Sequence, residues 1–213
     1  MNILSKSPYF TKQNLALVLD KKPETVNYFI KKALKKRELI AVKKGFFVAP
    51  SYIEKNIKNT EEKEKYLEYL SNVLREPSYV SLEYVLSKAG LIPEGATTVT
   101  AVSTKTSRAF NSKLADFSYR QINRKLFFGY ESVNFKDKRV KIACLSKALF
   151  DFLYFKKFAD VADIREYLLN RGRFNWEVFT NEDNRKFIEF AERSKSKKMK
   201  VIARQIKKYV NTR

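Results

Sequence analysis

The chain of 213 residues carries 44 Lys and Arg against 23 Asp and Glu, a net charge of +21, and is 44% hydrophobic and 14% aromatic. That is enough apolar material for a packed core, so wholesale disorder is excluded. One cysteine and no histidine exclude a disulfide framework, a zinc finger within one chain and His-based acid–base catalysis.

The charge is uneven. Residues 1–50 hold eleven Lys and Arg against three acids, residues 193–213 nine against none, and the middle of the chain is nearly balanced. Basic ends of this kind suit nucleic acid, with a membrane surface as the rival partner. The start, MNILSKSPYF, lacks the apolar run of a signal peptide, and no stretch approaches the ~20 apolar residues of a membrane span. The reading is a cytoplasmic protein, monomeric in solution and without a membrane partner.

In chain order, the first helix is expected from Thr11 to Leu19. Thr11 is the N-cap, and Leu15, Val18 and Leu19 form the inward stripe. Asp20-Lys21-Lys22 is a turn, and Pro23 opens a second helix to Lys36 at the position where a missing N–H costs nothing. At ~100° per residue, Val26, Phe29, Ile30, Ala33 and Leu34 share the core face. Glu24, Thr25, Tyr28, Lys31, Lys32 and Lys35 share the outer one. That outer face divides its labour as a recognition helix does, with lysines for phosphates and Thr25 and Tyr28 for phosphates or base edges. A strand over residues 38–42, a turn Lys43-Lys44-Gly45 and a return strand over 46–48 make a short basic wing. The fold class expected is therefore α+β: an N-terminal winged helix-turn-helix at 1–50, a linker at 51–60, and a mixed helix and sheet C-terminal domain at 61–213. The DNA-binding candidates are Lys21, Lys22, Thr25, Tyr28, Lys31, Lys32, Lys35, Lys43 and Lys44.

Beyond the linker, Glu61 to Arg75 and Ser81 to Ala89 read as helices, the second closed by Gly90. Strands are expected at 97–104, 115–122 and 126–130, then a hairpin of 133–135 and 140–143 about Lys136-Asp137-Lys138. The aromatic stretch 145–158 is a central helix, and Asp160 caps another that ends near Gly172. The last helices cover 184–192 and 197–210. On the final one Met199, Ile202, Ile206 and Tyr209 face inward, while Lys200, Arg204, Lys207 and Lys208 face out.

No phosphate-cradling glycine loop, no H-E-x-x-H and no paired metal-binding aspartates occur. The chain is read as neither an enzyme nor a binder of a metal or other cofactor. Asp160, Asp163 and Glu166 are taken as helix-start acids, and Cys144 as a small buried hydrophobe. The run Ser103 to Arg108 is either a solvated strand end or a phosphate or acidic-patch contact.

Tyr79-Val80-Ser81-Leu82-Glu83-Tyr84-Val85-Leu86 with Gly90-Leu91-Ile92-Pro93 resembles the start of the C-terminal domain of AbiEi-type antitoxins of abortive-infection, type IV toxin–antitoxin systems. Thr98 to Lys105, Phe117-Ser118-Tyr119-Arg120, Phe127 to Glu131, and Ile142-Ala143 with Lys147-Ala148-Leu149 and Asp151 continue the resemblance, which covers about residues 8–210. The family pattern has Pro-Glu before the lysine, where this chain has Leu145-Ser146. The resemblance implies a protein that binds inverted repeats in double-stranded promoter DNA and represses its own operon. Its C-terminal domain would counter a cognate nucleotidyltransferase-like toxin, without requiring a stable complex. Lys105, Arg108, Lys147, Lys200, Arg204, Lys207 and Lys208 are the antitoxin candidates. A second reading keeps the DNA-binding half and makes the C-terminal half a ligand-sensing or dimerising domain. A third, a nucleic-acid enzyme, lacks a catalytic constellation.

Overall fold

The computed structural model describes residues 3–210. It is a mixed α+β structure of two sheets and nine helices among the described residues. The N-terminal unit has a short strand β1 (Phe10–Thr11), helices α1 (Lys12–Leu19) and α2 (Pro23–Lys35), and a hairpin of β2 (Ile40–Lys43) and β3 (Phe46–Val48). Thr11 caps α1 by accepting the Asn14 N–H, and Asp20 ends it in the left-handed region at φ 49°. Of the stripe expected on α1, Leu15 is buried and Leu19 half-buried, whereas Val18 is exposed. The helix turns Ala16 inward instead. β1 pairs antiparallel with β3, giving a three-stranded sheet in the order β1-β3-β2.

Residues 51–60, expected to be a linker, are largely helical: α3 (Pro50–Asn56) starts on its proline, and α4 (Thr60–Leu74) is capped by Asn59. Tyr52 is buried, so this segment is held by packing. α4 carries the seam between the N-terminal unit and the rest. The Tyr66 hydroxyl donates to the Pro8 carbonyl at 2.6 Å. Its ring lies 5.7 Å from Tyr52 and 5.8 Å from Phe135, and Tyr69 lies 6.3 Å from Tyr9.

The second sheet has six strands in the order β6-β7-β5-β4-β9-β8. These are β4 (Ser78–Val80), β5 (Thr98–Ser103), β6 (Arg108–Phe110), β7 (Asp116–Gln121), β8 (Tyr130–Phe135) and β9 (Lys138–Ala143). β5 runs parallel to β7 and β4 parallel to β9; the other neighbours are antiparallel. Both faces are covered, so strand side chains alternate between two cores rather than between core and water. Val80, Val99, Ala101, Phe117 and Tyr119 join α4 and the N-terminal unit in one core. Tyr79, Val102, Ile122 and Ala143 join the helices of the opposite face in the other. Those helices are α5 (Glu83–Lys88), α6 (Leu145–Phe155), α7 (Val161–Glu166), α8 (Asn181–Arg193) and α9 (Lys197–Val210), with a π-helical turn Tyr167–Arg171 after α7.

The strand expected at 126–130 is not one. Arg124–Leu126 is a 3-10 turn capped by Asn123, and the chain turns at Gly129 with φ +73°. A Cβ there would meet the Lys147 side chain at 3.0 Å, so both the backbone angle and the space select glycine. The strand begins only at Tyr130. Three strands are not expected from the sequence: β1, β4 and β6.

On α6, Lys147 of the first turn and Asp151 one turn later are fully buried and ion-paired. Asp151 also accepts from the Tyr79 and Ser81 hydroxyls, each at 2.9 Å. The ammonium lies 4.7 Å from the Phe150 ring centre and 4.8 Å from that of Phe128. Burial pushes the Lys147 ammonium below and the Asp151 carboxyl above its ordinary range, and each charge opposes the shift of the other. Removing one member leaves an uncompensated buried charge. Lys147→Met and Asp151→Leu are each expected to cost about 3–5 kcal/mol in urea denaturation, and the double variant to recover most of that loss.

Candidate functional site

The outer face of α2 carries Lys31, Lys32 and Lys35 against one acid, Glu24, in its first turn. Val26, Ile30 and Ala33 are buried, with Phe29 and Leu34 half-buried, so the inward face is the one expected. Thr25, Tyr28, Lys31, Lys32 and Lys35 are all exposed. Thr25, Tyr28, Lys32 and Lys35 follow one another at helical spacing along the same side. Tyr28 is 68% exposed, a large aromatic that the core leaves in solvent. Lys21 and Lys22 are exposed in the turn before α2, held by the Asp20 backbone and by Pro23 at the first helical position. None of Lys21, Lys22, Lys31, Lys32, Lys35 or Lys44 has an acidic partner among the described residues.

The hairpin corrects one expectation. Lys44 is exposed at the tip beside Gly45, whose φ of +75° the tight turn requires. Lys43 is the last residue of β2 and half-buried, not part of the tip. Its ammonium donates to the Leu74 carbonyl at the end of α4 and lies 5.8 Å and 5.4 Å from the Phe46 and Phe110 rings. Burial holds its pKa below the usual lysine range, and Arg75, Lys105 and Arg108 lower it further. Lys43 of the N-terminal unit therefore belongs to one cation cluster with Lys105 and Arg108 of the sheet edge, two groups the sequence kept apart.

Arg75 is the member that sequence reasoning missed. It follows α4 directly, and its guanidinium donates to the Thr106 hydroxyl at 3.0 Å and to the Thr106 carbonyl. That contact ties the β5–β6 connection to α4. In sequence Arg75 is only the end of a helix, and nothing local announces a partner thirty residues away. Arg108 also lies over the Phe110 ring at 5.8 Å, so β6 adds an aromatic to the cations, a pairing suited to unshielded positive charge.

The other candidates fall elsewhere. Lys147 is buried and committed to Asp151, so no partner macromolecule can touch it in the folded protein. On α9, Met199, Ile202 and Ile206 are buried and Tyr209 half-buried, as expected. Arg204, Lys207 and Lys208 are exposed, and Lys200 is paired with Glu192 at 2.7 Å. The opposite, apolar face of α9 packs in the second core, whereas Lys43 lies against Phe46 of the first. Lys198 is spent structurally: its ammonium donates to the Leu153, Tyr154 and Lys156 carbonyls at the end of α6. Asp160 caps α7, and the Asp163 carboxylate accepts from the Ala159 N–H and pairs with Arg171. Cys144 caps α6 in extended backbone, and burial pushes its thiol up. No described helix is long and apolar enough to cross a membrane.

Chemically, a row of uncompensated lysines on one helix, a hydroxyl and a phenol between them, and a second cluster by the hairpin can hold a chain of phosphates. The chain matches no family model, and a search of curated proteins finds no match.

A cation cluster that no acid neutralises strains the free protein. Lys105→Gln and Arg108→Gln are expected to leave thermal stability unchanged or raise it, by about 0.2–1 kcal/mol at most. Both should at the same time elute from heparin at lower salt. Differential scanning calorimetry beside heparin chromatography reads the two effects.

Proposed function

We propose that this protein is a DNA-binding autorepressor and antitoxin of the type IV toxin–antitoxin kind. Its N-terminal unit acts as a winged helix-turn-helix on inverted repeats in its own promoter. The observation that carries the DNA-binding half is the outer face of α2, where every polar and basic residue is exposed and no lysine has an acidic partner. On this reading α1 and the Asp20–Lys22 turn present α2 to the major groove. Lys31, Lys32 and Lys35 then meet phosphates, Thr25 and Tyr28 reach base edges, and the hairpin with Lys44 is the wing. The Lys43, Arg75, Lys105 and Arg108 cluster extends the same charge toward the sheet edge and continues the backbone contact.

The antitoxin half rests on the sequence resemblance across residues 79–151. Lys147 takes no part in it as a contact residue, since it is buried. The exposed cations of α9 and of the β5–β6 connection are the surface left for antagonism of a nucleotidyltransferase-like toxin, direct or indirect.

If about six lysines neutralise phosphates, the logarithm of the binding constant falls with the logarithm of salt concentration at a slope of roughly −5. Fluorescence anisotropy on the upstream region measures it, and absence of binding at low salt removes the DNA-binding reading. Lys31→Ala and Lys35→Ala should weaken specific and random DNA alike. Thr25→Ala and Tyr28→Ala should instead change preference among sites by roughly 1–3 kcal/mol.

The antitoxin half is tested by growth of cells that express the adjacent nucleotidyltransferase gene. Full-length protein with Lys31, Lys32 and Lys35 changed to Glu should rescue growth yet fail to repress a promoter reporter. Failure of the unaltered protein to rescue would leave a regulator without antitoxin activity.

A further inference from the structure

We propose that the cleft between the end of α2 and the β6–β7 loop binds a small amphipathic organic acid, an apolar body bearing one carboxylate or sulfonate. The cleft holds about 690 Å³, within the range of about 300–1,000 Å³ of small-molecule sites. Leu34, Leu39, Ile40 and Pro50 line it from the N-terminal unit and give it an apolar character. Arg37 and Lys113 line it as well, one from just after α2 and the other from the β6–β7 loop, and no acid lines it.

Both cations are exposed, and neither side chain has an ion pair or hydrogen bond among the described residues. The Arg37 backbone is fixed relative to α2 by its N–H to the Leu34 carbonyl at 3.1 Å and by a left-handed φ of 61°. An anionic head can take charge-assisted hydrogen bonds from both cations, while its apolar body covers the half-buried Leu34 and Ile40. A nucleic-acid backbone would satisfy the cations and leave that apolar lining unused, so the lining favours a ligand that has both parts.

Leu34 belongs to α2, so the ligand touches the same helix that bears the exposed lysines. Ligand binding and α2's own binding then affect each other reciprocally. Ligand binding itself does not depend on the DNA-binding reading. Only this coupling rests on it.

The test titrates full-length protein with decanoate by calorimetry and with 8-anilinonaphthalene-1-sulfonate by fluorescence, with 1-decanol as the neutral probe. Saturable one-to-one binding of both anions is expected. Arg37→Ala and Lys113→Ala should each weaken them about 10-fold or more, the scale of one hydrogen bond to a charged group. Neither change should alter the response to 1-decanol. Ala41→Trp, which fills the cleft from an exposed β2 position, should abolish anion binding. Unchanged circular dichroism shows that each variant is folded. No saturable binding of either anion, or equal affinity in all three variants, overturns the site.

Anisotropy on promoter DNA then reads the coupling. Saturating decanoate should shift DNA affinity in the unaltered protein and not in Ala41→Trp, and no shift in the unaltered protein overturns the coupling. A protein that binds decanoate but no DNA refutes the repressor reading and leaves the cleft assignment standing.

Discussion

The tyrosine seam of α4 is the constraint on which the rest of the structure depends. Tyr66 and Tyr69 reach one way to Pro8, Tyr9 and Tyr52 and the other way to Phe135 on the sheet. A unit of about fifty residues buries too little surface to be stable on much of its own core. Here its apolar residues are continuous with one face of the six-stranded sheet. Burial raises the pKa of both the Tyr66 and Tyr69 hydroxyls, and the Tyr66 hydroxyl donates across the seam. The orientation of α2 is therefore set by the sheet as well as by its own turn.

Charge is distributed on the opposite principle from the core. Inside, Lys147 and Asp151 are matched with each other and with Tyr79 and Ser81. Outside, α2 and the Lys43 cluster present cations that form no ion pair among the described residues. The contrast is physical: a buried charge without a partner is forbidden by desolvation, whereas surface cations in water cost little and remain available for an anion. Lys43 lies between these regimes, half-buried with its ammonium on the Leu74 carbonyl and three further cations near it.

Where local chemistry decides, the sequence was legible. Thr11, Pro23 and Asp160 mark helix starts that the structure keeps, and the alternation around Lys136-Asp137-Lys138 marks a real hairpin. The start of α8 was legible too but was overlooked: Thr180 and Asp183 form a full capping box, three residues before the start assigned. What the sequence could not disclose was set at long range. β4 is three residues whose strand character comes from neighbours β5 and β9. Lys147 looks like any helical lysine until α6 is known to be enclosed. Lys43, Arg75, Lys105 and Arg108 are separated by up to sixty-five positions and become one cluster only when β6 is laid at the sheet edge.

The strand order also governs how the chain can be made. β4 is synthesised early, yet one of its two neighbours is β9, with Val80 opposite Ile142. While a ribosome is still adding residues 81–137, that side of β4 has no strand to hydrogen-bond. Tyr79 then lacks the α6 carboxylate to which its hydroxyl donates. Vectorial synthesis thus delivers α2 and its lysines well before the sheet that steadies them is complete. The last helices close the second core after the N-terminal unit has long been exposed, so maturation of the two ends is ordered in time by the topology itself.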